Sequence, residues 1–311
     1  GSDFHGTNKP NLSLGCGRGD LYIPAKLLST LKKAYLKGFV PTKSIHSALF
    51  FDLDGTLLND EKIITPITKA LLYKACENGN KFIINTGRPL ASSFKIIDRL
   101  GIGDITDYIA AFNGGIVYDY KNESILEKVT LKKDYSEYVK KTAKEHGCHF
   151  HTYSDYEILT EKKTKEVEYY SEFVGLPYRM VKDVIEEEPT PYKFLIMNFD
   201  HPEKLKEVQA IIEKDLKDKV FCIFSSDKFL EVIPIESGKG NALKFIMKAS
   251  GIKETHSYAF ADEENDITLL KAAAKSVCMI NGNPKLKAVS DYITFRDNNN
   301  DGLADFLELF S

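Results

Sequence analysis

Ala48-Leu49-Phe50-Phe51-Asp52-Leu53-Asp54-Gly55-Thr56-Leu57-Leu58 decides how this chain is read. Ala48 to Phe51 is an unbroken apolar run of the length of a short buried strand. Asp52 and Asp54 follow at once, and Gly55 breaks the extended run. On a strand that stayed extended, both carboxylates would leave on one side. The glycine turn lets them converge from different angles at the strand's carboxyl end, where open α/β sheets bind ligands. One carboxylate can then attack while the other handles protons. The plain alternative is a strand followed by an acidic turn, and the rest of the chain argues against it.

From residue 45 the pattern alternates. Pro66 to Cys76 is helix-like, Lys81 to Asn85 reads as a strand, and Leu90 to Leu100 as a helix closed by Gly101. Tyr108 to Phe112 is another strand, followed by the turn Asn113-Gly114-Gly115. Such alternation predicts an α/β fold, a doubly wound parallel sheet with helices on both faces. Near residue 130 the pattern changes. Helices at Tyr135–His146, Lys162–Val174 and Pro202–Leu216 mix with strands at Cys148–Tyr153 and Tyr192–Phe199, an acidic loop Glu186-Glu187-Glu188-Pro189, and the strand pair Val220–Phe224 and Phe229–Ile233. This block is an α+β module. After Lys239 the alternation resumes: a helix to Ala249, strand Tyr258–Phe260, helix Glu264–Ala273 and strand Val277–Ile280. The expected organisation is an extension over 1–44, a core over 45–130 and 231–311, and an inserted module over 131–230. In the extension, Gly15-Cys16-Gly17-Arg18-Gly19 lacks the strand and spacing of a phosphate loop and reads as a flexible leader. Pro24 to Gly38 predicts a helix with an apolar stripe of Leu27, Leu28, Leu31, Tyr35 and Leu36, packed on the main body or a partner.

Three further clusters follow predicted core strands or open a core helix. Asn85-Thr86-Gly87-Arg88-Pro89 combines a hydroxyl, an unobstructed amide and a guanidinium, which together suit an oxyanion. Lys239, in Ser237-Gly238-Lys239-Gly240-Asn241, starts a helix, a position that favours anions. It is no P-loop, since Ile233 stands where the first glycine is required and Gly240 replaces Ser/Thr. Asp262-Glu263-Glu264-Asn265-Asp266 puts carboxylates at a strand end, a donor set for a hard cation such as Mg²⁺. Taken singly, each has a plain reading: a common Thr-Gly turn, a surface lysine, a dipole-favoured acidic helix start.

In this order the four clusters resemble the motifs of the haloacid dehalogenase superfamily of phosphotransferases. The inserted module and Asn113-Gly114-Gly115 resemble its Cof-type phosphatases, and the resemblance covers roughly residues 45–311. It implies a Rossmann-like core with an α+β cap. It implies Asp52 as nucleophile, forming an aspartyl-phosphate, and Asp54 as general acid and then base. Asp54 must hold a proton at some stage; crowded carboxylates raise a pKa, though a metal opposes the shift. Thr86 and the Gly87 amide would hold phosphate oxygens, and Lys239 would offset charge on Asp52 and the phosphoryl group. Mg²⁺ would bind Asp52, the Asp54 carbonyl and Asp262, with Asp266 supporting its waters and Asn265 beside the phosphate. Arg88 and Asn113 would lie at the leaving-group side. The chain departs from the family in Ala261-Asp262 where Gly-Asp is usual, in Glu263 and Glu264, and in Met279-Ile280-Asn281-Gly282, which keeps only the asparagine of Met-Gly-Asn-Ala. Dehalogenases lack the second aspartate and ion-pumping ATPases carry threonine there, so Asp54 predicts phosphate turnover.

The expected function is therefore Mg²⁺-dependent hydrolysis of a small phosphomonoester such as a sugar phosphate, with cap residues Lys193, His151 or Tyr153 as candidates to face the cleft. A phosphomannomutase-type phosphomutase and a non-catalytic metabolite-binding regulator are the alternatives. A hydrophobic content of 43% and charged content of 28% fit a soluble globular protein, and a net charge of -3 makes nucleic acid and anionic membrane poor partners. No apolar run approaches a membrane span, and no secretory pattern opens the chain. Cys16, Cys76, Cys148, Cys222 and Cys278 are scattered without a Cys-x-x-Cys pair, as expected of reduced thiols in a cytoplasmic monomer. His149 and His151 lack a cysteine pair to complete a zinc site and read as structural or surface residues. Asp297-Asn298-Asn299-Asn300-Asp301-Gly302 with Glu308 matches a calcium-loop pattern, but a strand at Tyr292–Phe295 precedes it and no exit helix has room to follow.

Overall fold

The computed structural model describes residues 25–39 and 46–311. The glycine-rich stretch 15–19 lies outside the described residues. The chain divides into two compact units, 1–43 and 44–311. Of the first, one helix is described, α1 (Ala25–Tyr35), inside the predicted span.

The second unit opens with β1 (Ala48–Phe51), buried at all four positions, as a central parallel strand requires. Then come α2 (Pro66–Glu77), started by a proline at its first turn, β2 (Lys81–Asn85) and α3 (Leu90–Leu100). Gly101 closes α3 in the left-handed conformation. β3 (Thr106–Ala111) leads through a short turn to β4 (Ile116–Asp119) and β5 (Ser124–Lys128). After β5 the chain forms α4 (Lys133–Glu145), β6 (His149–Tyr153), β7 (Ile158–Thr160), α5 (Lys165–Val174), β8 (Tyr178–Met180), α6 (Val184–Glu187), β9 (Phe194–Met197), α7 (Lys204–Asp215), β10 (Val220–Ser226) and β11 (Phe229–Pro234). It returns through α8 (Lys239–Ser250), β12 (Ser257–Ala261), α9 (Ile267–Ala272), β13 (Lys275–Cys278), α10 (Pro284–Lys287), β14 (Tyr292–Ile293) and α11 (Ala304–Leu307).

Two sheets result. The first has eight strands in the order β14-β13-β12-β1-β2-β3-β4-β5, and the second, made wholly of the inserted strands, has six in the order β10-β11-β9-β6-β7-β8. β12, β1 and β2 are parallel and in register, with Phe51 beside both Phe260 and Ile84. Their carboxyl ends therefore lie side by side. Phe51 and Phe260 stack at 4.7 Å just below that end.

Several elements differ from expectation. β4 and β5 form an antiparallel hairpin on one edge, so the core sheet is mixed. β5 is short and largely exposed, which hides it from an apolar-run search. Glu186 and Glu187 are not loop but the end of α6, which starts where the Asp183 carboxylate accepts from the Ile185 amide. α5 starts at Lys165 rather than Lys162, because the Thr164 hydroxyl caps it. The Glu264–Ala273 helix splits into a 3-10 turn at Glu264–Asp266 and α9, with Glu263 and Asp266 making a capping box. Cys76, Cys148, Cys222 and Cys278 are free thiols. The calcium-like loop is tied down internally. Asp301 accepts from the Thr65 hydroxyl at 2.5 Å, and Asn298 donates to the Leu58 carbonyl at 3.0 Å.

β6 puts Phe150 into the core of the second sheet and turns His149, His151 and Tyr153 to its other face. There Thr164 Oγ1 meets His149 Nδ1 at 2.9 Å, His149 Nε2 meets His151 Nδ1 at 3.0 Å, and His151 Nε2 meets Tyr153 Oη at 3.1 Å. Burial holds His149 down to about 4 and His151 well below its usual value, so both are neutral. A depressed histidine binds fewer protons folded than unfolded, so its stability contribution is full above pH ~6.5 and is lost as pH falls toward 4. We expect wild-type protein to lose stability relative to a His149→Gln variant as pH falls through this window, measured by thermal denaturation; parallel Tm profiles for the two proteins would contradict it.

Candidate active site

The in-register ends of β12, β1 and β2 bring together the residues that follow them. Asp52 donates its amide to the Phe260 carbonyl at 3.0 Å, which turns the chain off β1 with the Asp52 carboxylate at the sheet edge. Gly55 then takes a positive φ of 80°, and a Cβ there would overlap the Asp262 carboxylate. Thr56 donates its hydroxyl to Asp262 Oδ1 at 2.7 Å, and Asn281 donates to the Gly55 carbonyl at 2.9 Å.

Lys239 lies at the centre, only 1% exposed, with Nζ 2.6 Å from Asp52 Oδ1 and 2.5 Å from Asp266 Oδ1. Oxygen atoms of Asp52, Asp262 and Asp266 lie within 4.8 Å of one another, and all three residues are buried. Burial pushes the Asp52 carboxyl up to about 7; Asp266 and Asp54 add to this, and Lys239 offsets part of it. Burial and the Asp52 and Asp266 charges push Asp262 well above the ordinary carboxylate range. Crowded buried carboxylates with one ammonium among them are short of positive charge, and oxygen donors of this kind fit a hard divalent cation. The buried Asn265 Oδ1, without a hydrogen-bond partner, is a further free oxygen at the site.

Asp54 differs. Arg88 grips it through two hydrogen bonds, Nε to Oδ2 at 2.6 Å and Nη2 to Oδ1 at 2.9 Å, and Lys62 adds a third at 2.8 Å. Burial pushes Asp54 up, but these cations outweigh it and hold the carboxyl at about 2. The upward shift expected for Asp54 is thus found at Asp52 and Asp262, because the guanidinium faces Asp54.

Asp52, Asp54, Thr86, Gly87, Arg88 and Asn265 line one cleft of about 300 Å³. Its opposite wall comes from the inserted segment, chiefly Tyr169, Tyr170, Phe173 and Phe229, with Ser225 to Lys228 at the β10–β11 turn. Three donors spaced along one face at the start of α3 clasp the carboxyl end of α5. Arg88 Nη1 reaches the Phe173 carbonyl at 3.1 Å, Ser92 Oγ the Val174 carbonyl at 2.6 Å, and Lys95 Nζ the Gly175 carbonyl at 2.7 Å. These are carbonyls a helix end leaves without internal partners.

Asn113, expected at the leaving-group side, is 1% exposed and does not line the cleft; its amide donates to Glu231 at 2.5 Å. Lys193, His151 and Tyr153 do not line it either. Glu231, Lys62 and the aromatic wall were not foreseen. A carboxylate inside the apolar run Phe229-Leu230-Glu231-Val232-Ile233 was the available signal for Glu231. Lys62 carried none, since it sits on an exposed turn with φ 61°.

The sequence profile of the haloacid dehalogenase-like hydrolases matches residues 49–307. A Streptococcus pyogenes protein provisionally named a phosphatase is 31% identical over 258 residues, covering 81% of this chain and 94% of its own. The HMP-PP phosphatase of Serratia proteamaculans is 28% identical over 240 residues, covering 77% and 85%. A crystal structure of a haloacid dehalogenase-like hydrolase from Bacteroides thetaiotaomicron superposes with a TM-score of 0.76 at 25% identity, covering 86% of this chain and all of that one. The chain belongs to the haloacid dehalogenase-like hydrolase family, where it groups with the phosphatases. No helix of the described residues is long and apolar enough to cross a membrane.

The close approach at Gly55 yields a test. Gly55→Ala should cost about 1–3 kcal/mol, from a strained φ and a displaced Asp262. An unchanged urea midpoint would show that the turn tolerates a side chain.

Proposed function

We propose that this protein is a Mg²⁺-dependent phosphatase that hydrolyses a small phosphomonoester, such as a sugar phosphate, through an aspartyl-phosphate on Asp52. The observation that carries the reading is the buried Lys239 ammonium bonded at once to Asp52 and Asp266 beside Asp262, with Asp52 also lining the cleft. In this reading an Asp52 oxygen attacks phosphorus, and the bond from phosphorus to the leaving oxygen breaks. Asp54 gives that oxygen a proton, so an alcohol departs. Water then attacks the phosphorus, the bond to Asp52 breaks, Asp54 takes up the water's proton, and inorganic phosphate leaves. Mg²⁺ held by Asp52, Asp262, Asp266 and the Asp54 carbonyl would offset negative charge on the phosphoryl oxygens.

Asp54 as a carboxylate suits the base half of this cycle. The acid half needs Arg88 and Lys62 to loosen their hold. An entering phosphate dianion competes for both cations, which frees Asp54 to take up a proton. Thr86, the Gly87 amide and Asn265 hold phosphoryl oxygens, while Tyr169, Phe173 and the β10–β11 turn meet the leaving group. The cap, 131–230 in the sequence reading, extends to Pro234 when all of β11 is counted with its sheet.

Phosphate release from a panel of sugar phosphates, nucleotides and pyridoxal phosphate tests the reading. We expect Asp52→Asn and metal chelation each to lower release by at least about 10³-fold. Formation of an isomer with little free phosphate would point instead to a mutase. Asp54→Asn should slow sugar phosphates by about 10²–10⁴-fold. It should still release a burst of p-nitrophenol from p-nitrophenyl phosphate, whose leaving group needs no proton; equal slowing of both first steps would remove Asp54 as the acid.

A further inference from the structure

A buried ion pair that the scheme above does not use ties the two sheets together. Lys193, immediately before β9, is fully buried, and Glu231, in the neighbouring strand β11, is nearly so. Lys193 Nζ donates to Glu231 Oε2 at 2.8 Å and to the Gly87 carbonyl at 2.7 Å. Glu231 also accepts from Asn113 Nδ2 at 2.5 Å and from Ser225 Oγ at 2.6 Å. Asn113 donates its own amide to the Thr86 carbonyl at 3.0 Å and accepts at its carbonyl from Gly238 at 2.8 Å. The path closes on itself, running from Thr86 and Gly87 through Lys193, Glu231 and Asn113 back to Thr86. Asn265 Nδ2 approaches Asn113 Oδ1 at 3.5 Å, at the limit of a hydrogen bond.

The circuit encloses the one glycine of the phosphate-facing turn. Glycine has the widest conformational freedom, so a peptide meant to present its amide to an anion must be held from outside. The Gly87 carbonyl is held by Lys193, and Thr86 by Asn113. Stability gives no reason to use charges for this, because a buried ion pair often contributes no more than apolar residues of similar volume. An ammonium and a carboxylate do give fixed direction to several bonds at once.

We propose that Lys193 and Glu231 are positioning residues, which lock the Thr86–Gly87 turn and Asn113 into the geometry that receives a phosphoryl group. The proposal rests on the phosphatase reading for its effect on rate, and on the hydrogen-bond circuit alone for its effect on the turn.

The test compares Lys193→Met, Glu231→Leu and the double variant in the full chain. Thermal stability, hydrogen exchange in peptides spanning residues 85–92, and kcat and KM with p-nitrophenyl phosphate are measured. Each single variant strands one buried charge and should lose stability, whereas the double variant should recover it. In the recovered double variant, exchange at the turn should stay about tenfold faster than wild type, and kcat/KM about 100-fold lower, as expected for a displaced contact group. A double variant with wild-type stability, exchange and kcat/KM would overturn the proposal, since the pair would then be structural only. If the double variant does not recover stability, Glu231→Gln, which keeps volume and the bond from Asn113, replaces it. Faster exchange and a roughly tenfold lower kcat/KM in that variant support the proposal, and unchanged values overturn it. A wild-type protein that releases no phosphate from any ester sinks the phosphatase reading, and turn exchange then decides the proposal by itself.

Discussion

One buried cation is the constraint on which the site depends. Asp52 follows β1, and Asp262 and the capped turn that carries Asp266 follow β12, so the parallel in-register pairing of these two strands brings the three carboxylates together. Three carboxylates this close, out of water, repel one another strongly. Lys239 answers part of that repulsion from a fixed position, at the first residue of α8. Its main-chain carbonyl accepts from Asn85 at the end of β2, so the helix that carries the ammonium is tied to the strand that precedes Thr86. Burial still raises the Asp52 and Asp262 carboxyls, and the neighbouring carboxylates add to the shift. A site left short of positive charge in this way is suited to a divalent cation.

Arg88 is the second fixed point, and it joins two tasks. It neutralises Asp54 from one edge of its guanidinium and donates to the end of α5 from another. The Phe173 ring lies 4.8 Å beneath the same group. The inserted segment is thus seated on the group that governs whether Asp54 carries a proton. Arginine suits this because its planar fork offers several donors in fixed directions, which a lysine does not.

What could be read from the sequence follows from these constraints. β1, β2 and β12 were legible as apolar runs because both sheet faces are covered there, and the residues ending them were legible because glycine and carboxylates follow buried strands. Lys239 was legible only through its order relative to the others. β4, β5, β7 and β8 were missed because short or exposed strands carry no distinctive period. The grip on Asp54 was missed for a different reason: Arg88 was read only as a phosphate-side or leaving-group residue, and its contact with Asp54, 34 residues away, arises only in the tertiary structure. Asn113, read at the leaving-group side, does not line the cleft, because Glu231, 118 residues further on, takes up its amide.

The charge arrangement also bears on where selectivity can arise. Lys62, Arg88 and Lys239 are each already bonded to a carboxylate of the site. On the proposed mechanism, an entering phosphate exchanges one set of ion pairs for another and gains little from meeting free positive charge. Every phosphomonoester makes that exchange alike, so it cannot separate one substrate from the next. On that mechanism, discrimination falls to the leaving group and the surface proposed to meet it, the aromatic wall of α5 and β11 and the turn at Ser225 to Lys228. Those residues come from the inserted segment, whose sequence bears no chemical motif, whereas the residues proposed to act on phosphorus follow the core strands or open α8. That division of labour is why the reaction type is legible in this chain and the identity of the ester is not.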